Sequence, residues 1–500
     1  MAGELLLVID EGTTSTRAML FAPDGACLGW EQRDLDQHYP RPGWVEHDAE
    51  EIWGKTFACA RTVVAQAGGA DRIAAIGLTN QRETILFWSR RTGRALGPAI
   101  VWQDRRTADL CARLAAEGHE PALQARTGLL LDPYFSGSKI AWAMENWPQL
   151  REAGDDLAIG TVESWLVWRL TGGLHITDAT NASRTALMDI GSGHWDAGLC
   201  DLFDAPAGAL PEIVDCAGRY GESAADLFGR PIPICGMAGD QQAAAIGQAC
   251  LGRGDTKATY GTGAFVLTHV GETLPVSRHR LLGTVAWQLD GRRAYALEGS
   301  VFVAGSLVKW LRDELGLIAS SAETAAIAAA LADSGGVYIV PAHCGLGAPH
   351  WRPEARASIS GLSFSTGRDH IVRAALEAMA HQTHDLMTAF VSDGADWERL
   401  KIDGGMAAND WLAQDLADML DLVVERPDFV ETTALGAAML AGVGSGLFAG
   451  LEEAAAMRGS VETFEPAMHP EARKGRLGGW KIAVRAVLET EERAAQGSSD

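Results

Sequence analysis

The chain has 500 residues, too many for one hydrophobic core, so two large lobes or about three domains are expected. Its 42 basic and 65 acidic residues leave a formal net charge of −23. That balance argues against nucleic acid and anionic membranes as partners, both of which need clustered Lys and Arg. Hydrophobic residues at 47% and charged residues at 21% are those of a folded globular protein. The 8 cysteines are scattered with no C-x-x-C pair, which fits a reducing, cytoplasmic setting. The first residues reach Asp10 and Glu11 with no basic or apolar leader, so no secretion signal is expected.

Taken in chain order, the apolar run Leu5 to Ile9 leads through Asp10-Glu11-Gly12-Thr13-Thr14-Ser15-Thr16-Arg17 to a second run, Ala18 to Phe21. This reads as strand, Gly/Thr turn, strand. A helix is expected from Asp48, with Glu51 completing a capping-box-like pair. A strand at 73–78 ends in Thr79-Asn80-Gln81-Arg82-Glu83-Thr84, and another at 99–101 ends in Trp102-Gln103-Asp104. The apolar run 232–235 precedes Ala238-Gly239-Asp240-Gln241-Gln242 and an Ala-rich helix. The opening device then recurs: 256–260, the turn Gly261-Thr262-Gly263, and 264–268. A further strand at 400–403 ends in Gly404-Gly405. The longest apolar stretch, Ala434 to Gly450, is too short for a membrane span and is broken by glycines. It is expected as a buried helix packed closely on a neighbour. The pattern predicts an α/β chain with a duplicated lobe, the join falling near 248–254.

Paired Gly/Thr hairpins can wrap phosphate oxygens with backbone N–H groups and short hydroxyls. Neither a Walker-type loop nor a dinucleotide fingerprint is present, so a hairpin-borne clamp of the actin-like kind is the better match. Each turn alone is more often a plain β-turn. Arg82-Glu83 supplies a guanidinium beside a carboxylate, the pair that reads adjacent hydroxyls, although a surface salt bridge is the commoner use of such a dipeptide. Trp102 could pack on a ligand's C–H face or simply be core, and Tyr134 could reach a hydroxyl or simply close a turn. Asp240, at a strand-to-helix junction, is open to two roles: helix N-cap or general base. His381 and His384, with no third ligand, are expected as ordinary surface or core residues.

Several motifs in order carry a resemblance: Thr79 to Thr84, Trp102 to Thr107, Tyr134 to Asn146, Thr180 to Arg184, Ala238 to Gln242, Tyr260 to Gly263 and Ala357 to Glu377. With them the chain resembles the FGGY family of carbohydrate kinases from Leu5 to about Ala483, and within it the members that act on glycerol. The resemblance implies a two-lobed, actin-like (ribonuclease H-like) α/β fold, with lobes at 1–247 and 248–500. It implies ATP-dependent phosphorylation of glycerol to sn-glycerol 3-phosphate, with Mg²⁺, in a cytoplasmic homodimer or homotetramer. Glycerol would be held by Arg82, Glu83, Tyr134, Asp240 and Gln241, with Trp102 and Phe265 against its carbons and Asp240 as general base. Asp10 would organise Mg²⁺, and Thr13, Thr14, Ser15, Arg17 and Thr262 would meet the phosphates. Gly261, Gly305, Lys309, Gly405, Met406 and Asn409 would line the nucleotide pocket. Four residues depart from the family pattern: Glu11 stands for Gln and is expected to add negative charge beside the phosphates, Lys309 and Met406 replace a neutral and a small residue, and Arg352 stands where Asp is usual. The competing expectations are a kinase for another small polyol, such as erythritol or dihydroxyacetone, and an actin-like ATP-binding switch that phosphorylates nothing.

Overall fold

A computed structural model describes residues 3–352 and 354–497. The opening run forms the strand Leu5–Glu11, buried along its whole length, as a strand covered on both faces must be. It pairs antiparallel with Ser15–Phe21 through the Gly/Thr turn and parallel with Ile73–Asn80. The full sheet runs Ala217–Glu222, Pro233–Gly239, Ile73–Asn80, Leu5–Glu11, Ser15–Phe21, Cys27–Asp34.

A second sheet repeats this order. Its strands run Val461–Phe464, Val424–Pro427, Arg399–Asp403, Asp255–Tyr260, Ala264–Gly271 and Arg292–Val301, with Leu282–Leu289 added at the edge. Pairing directions match as well. Asp255–Tyr260 is antiparallel to Ala264–Gly271 and parallel to Arg399–Asp403, which is parallel to Val424–Pro427. In the first sheet, Ile73–Asn80 is likewise parallel to Pro233–Gly239. The duplication expected from two similar turns is therefore a duplication of sheet topology, and the α/β class is as predicted.

The Ala/Gly-rich stretch forms the buried helix Thr432–Ser445. In sequence it lies between two strands of the second sheet, Val424–Pro427 and Val461–Phe464, yet it packs on strands of the first and against the helix Asp240–Gly247. Its composition follows from that contact. A Cβ on Gly436 would fall 1.8 Å from the Ala243 carbonyl, and one on Gly247 would fall 2.0 Å from that of Thr432. The helix behind Asp240 is thus clamped by a helix from the other half of the chain.

A smaller sheet of Glu46–His47, Ala99–Ile100, Ile85–Ser89 and Leu157–Thr161 flanks the first. It fixes the C-terminal end of the segment holding Arg82 and Glu83, whose other end is the first-sheet strand Ile73–Asn80. The helix Ala49–Gln66 starts where expected, with Asp48 accepting hydrogen bonds from the Glu50 and Glu51 amides. The reciprocal half of the capping box is not made: Glu51 instead takes Lys55 Nζ and the Asp36 amide. The strand ending at the Arg82 loop is longer than expected, because Thr79 and Asn80 still pair. The sequence also reads as a polar tail from Gln496 to Asp500; the final helix, Pro470–Gly497, takes in its first residues, and the remainder lies outside the described residues.

Candidate active site

The parallel strands of an open α/β sheet present ligands at their C-terminal ends. Here Leu5–Glu11 delivers Asp10, Ile73–Asn80 leads into Arg82 and Glu83, and Pro233–Gly239 delivers Asp240. Arg82 is buried, and its Nε lies 3.2 Å from Asp240 Oδ1 and 3.8 Å from Glu83 Oε1. Its Nη1 donates to Gln242 Oε1 at 3.2 Å and to Glu298 Oε2 at 2.6 Å, and its Nη2 donates to the Tyr134 hydroxyl at 3.4 Å. Glu83 sits at φ 61°, a left-handed conformation that side chains rarely adopt. It accepts from Arg184 Nε at 2.6 Å.

Asp240 is the first residue of its helix rather than its cap, a position taken by Gly239, and its Oδ1 accepts from the Gln241 amide at 2.7 Å. Its side chain is 34% exposed while that of Arg82 is 2% exposed, so this carboxylate remains reachable. Burial raises its pKa, with Arg82 and Lys257 pulling the other way, so it is a stronger base than an ordinary aspartate. Gln241 accepts from Lys257 Nζ, which also donates to Thr259 Oγ1 at 2.8 Å. Burial lowers the pKa of Lys257, opposed by Asp403 and Asp240.

The aromatic wall forms around Trp102. Its ring meets Tyr134 edge-on at 5.5 Å and Phe265 at 6.4 Å. The Tyr134 turn is held from beneath by Lys139, a buried ammonium donating to the carbonyls of Pro133 and Tyr134 at 2.6 Å each. Trp102 Nε1 donates to Thr13 Oγ1 at 2.9 Å, so the same indole ties the aromatic wall to the first Gly/Thr turn.

In that turn the Gly12 amide bonds the Ser15 carbonyl at 3.0 Å, and Thr14 is exposed. Arg17 Nη2 lies 3.0 Å from Asp10 Oδ2, and Arg17 Nη1 lies 2.6 Å from Glu431 Oε2. Asp10 is buried and its pKa is raised to about 6, by burial first, with Arg17 opposing and Glu431 and Asp240 adding to it. Glu11, expected to add negative charge to this turn, is buried and directed toward the helix Ala49–Gln66. Its side chain accepts from Thr56 Oγ1 at 2.7 Å, and burial pushes its pKa up to about 8. At pH 7 it is mostly a neutral acid, close in shape and charge to the Gln it replaces.

The second turn is braced differently. The Gly261 amide bonds the Gly263 carbonyl at 2.8 Å. The first amides of the helix Gly305–Asp313 then close on it, Gly305 on the Gly261 carbonyl at 2.9 Å and Ser306 on that of Thr262 at 3.0 Å. A Cβ on Gly305 would lie 2.5 Å from the Gly261 carbonyl oxygen and 3.2 Å from Met406 Cγ, so Gly261, Gly305 and Met406 meet. Gly404, at φ 86°, lets the following Gly405 turn pass under the Tyr260 carbonyl. Asn409 caps the helix Asp410–Leu420 through the Leu412 amide and donates to Thr324. Lys309 points to solvent on its helix. His381 is buried and stacked on Trp480 at 5.2 Å, away from these contacts.

Sequence reasoning assigned no role to Glu298, Arg184, Lys257 or Gln242. Charged residues inside apolar strands were the available signal for Glu298, which lies in the strand Arg292–Val301, and for Lys257.

A family model of the FGGY carbohydrate kinase N-terminal domain matches residues 5–247, and one of the C-terminal domain matches residues 256–445. The chain is 53% identical to a glycerol kinase of Rhodospirillum centenum over 485 residues, 96% of this chain and 97% of that one. It is 53% identical to a glycerol kinase of Methylobacterium nodulans over 492 residues, covering 97% and 98%. Among solved structures, Plasmodium falciparum glycerol kinase with ADP superposes with a TM-score of 0.93 at 36% identity, covering 97% and 99% of the two chains. The xylulose kinase of Rhodospirillum rubrum gives 0.86 at 26% identity, covering 97% and 99%. The chain belongs to the FGGY family of carbohydrate kinases.

Proposed function

We propose that this chain catalyses ATP-dependent phosphorylation of glycerol to sn-glycerol 3-phosphate. Asp240 takes the proton from a terminal hydroxyl. That oxygen bonds to the γ-phosphorus as the bond to the bridging oxygen of the β-phosphate breaks, and ADP leaves with the electron pair. The chemistry is positioning and charge neutralisation in the main. The observation that carries the proposal is the shared guanidinium of Arg82, which holds Asp240 beside Glu83 and the Tyr134 hydroxyl, with Trp102 and Phe265 as the apolar wall.

Asp10 suits a hard cation. It is a buried carboxylate whose Oδ2 accepts no hydrogen bond of ordinary geometry, although Arg17 is near. No cluster of metal-ligating side chains occurs among the described residues, and Mg²⁺ in kinases needs only a carboxylate besides substrate phosphates and water. When bound, the ion would neutralise charge on the phosphate oxygens. Thr13, Thr14, Ser15, Arg17 and Thr262 would then face the phosphates, and Gly261, Gly305, Gly405 and Met406 the nucleoside.

The test is ADP release with Mg-ATP against glycerol, erythritol, dihydroxyacetone, xylulose and no acceptor, alongside Asp240→Asn. Fast turnover with glycerol alone, and loss of roughly 10²–10⁴-fold in the variant, is expected. A faster second polyol would redraw the specificity, and acceptor-independent hydrolysis would favour the switch.

A further inference from the structure

Glu298 is the member of the Arg82 cluster that comes from the second sheet. Its two oxygens are divided between two guanidiniums: Oε2 takes Arg82 Nη1 at 2.6 Å and Oε1 takes Arg184 Nη2 at 2.8 Å. Arg184 Nε in turn reaches Glu83, which lies beside Arg82 Nε. The result is a closed ring of two arginines and two glutamates with side chains at most 2% exposed. Asp240 touches this ring from outside, through Arg82 Nε.

We infer that Glu298 is a positioning residue that absorbs the charge of Arg82, so that Asp240 keeps the basicity its role requires while Arg82 is fixed against the substrate hydroxyls. The inference rests on the proposed role of Asp240. Its logic is electrostatic. Removing Glu298 would leave Arg82 and Arg184 facing only Glu83 and Asp240, and a carboxylate beside an unshared cation is a weaker base. Other charges near Asp240 are Lys257 from Asp255–Tyr260 and Asp10 from Leu5–Glu11; they oppose one another, and Lys257 also feels the charge of Glu298. Burial would raise the pKa of Glu298, but Arg184 and Arg82 hold it near about 2, so it stays ionised throughout the working range. Because its strand belongs to the second sheet, the ring also makes Arg82 alignment depend on how the two halves sit together.

The experiment compares full-length wild type, Glu298→Gln, Glu298→Asp and Arg184→Gln by the pH dependence of kcat/KM for glycerol, with thermal unfolding of each. Glu298→Gln is expected to move the acid limb down by about one pH unit and to lower kcat at neutral pH roughly tenfold. Glu298→Asp keeps the charge and is expected to keep the limb, at the cost of a higher KM for glycerol. Arg184→Gln removes a cation and must not move the limb down. An unchanged limb in Glu298→Gln with lowered thermal stability would reduce Glu298 to a structural ion pair and overturn the inference. If Glu298→Gln does not fold, a downward shift in Glu298→Asp, where charge is retained, overturns it instead. Should Asp240→Asn keep wild-type turnover, the underlying role of Asp240 fails; a flat Glu298→Gln profile beside an inactive Asp240→Asn refutes the role of Glu298 alone.

Discussion

The two Gly/Thr turns share one backbone device and differ in nearly everything attached to it. The first, from Asp10 to Arg17, is charged: Asp10, Arg17 and Glu431 form a line of ion pairs, and the Thr13 hydroxyl is held by Trp102. The second, Gly261 to Gly263, carries no ion pair in its turn and is shaped by helix amides that close on its carbonyls. The two sheets carry matching hairpins, and their attachments make one electrostatic and the other steric. A polyphosphate bound between them would meet charge on one side and fitted backbone on the other.

Breaking each turn should therefore produce different losses. The largest effect is expected for Asp10→Asn, which leaves shape intact and removes the only anionic oxygen of the turn suited to a cation. Turnover should fall by about 10²-fold or more, and the Mg²⁺ concentration for half-maximal rate should rise, both read in steady-state assays across Mg²⁺. Near-normal turnover with unchanged Mg²⁺ dependence would remove Asp10 from the metal's surroundings. A smaller effect is expected for Gly305→Ala, whose methyl would push the second hairpin off its helix. The KM for ATP should rise roughly ten- to hundredfold while Mg²⁺ dependence and the KM for glycerol stay near wild type. A variant that shifted Mg²⁺ dependence instead would show that the turns do not divide their work this way.

The fold was legible because each lobe announces itself locally, as a strand, a Gly/Thr turn and a second strand with alternating apolar runs. The close-packed helix at 432–445 was legible too, since only a tight helix contact explains so many glycines in an apolar run. What the residues do to one another was far less so. Arg82 and Glu298 are separated by 216 positions, and Arg184 and Glu298 by 114. No local pattern says that a glutamate in one strand will meet an arginine from the other half of the chain. The same limit governed Glu11. Its sequence neighbours put it beside the phosphate turn, whereas the alternation of a strand turns its side chain away, toward Thr56 on the helix Ala49–Gln66.

Glu11 offers the smallest effect on activity and a clear one on stability. Because its folded-state pKa is raised to about 8 from the ordinary carboxylate range, the native state holds a proton that the unfolded chain releases between roughly pH 4.5 and 8. The sign follows: over that window the unfolded state binds fewer protons, so this residue's contribution to stability falls as pH rises, and the loss is complete above the folded pKa. Glu11→Gln removes the ionisation while keeping the shape and the hydrogen bond from Thr56. Turnover at pH 7 should stay within about twofold of wild type, since a neutral acid is replaced by a neutral amide of similar size. The Tm advantage of the variant should be small at pH 5 and grow steadily to pH 9, read by thermal unfolding at each pH. A constant difference would mean that Glu11 is ionised in the native protein at neutral pH. The first turn would then carry a further negative charge, and its contrast with the second would be sharper still.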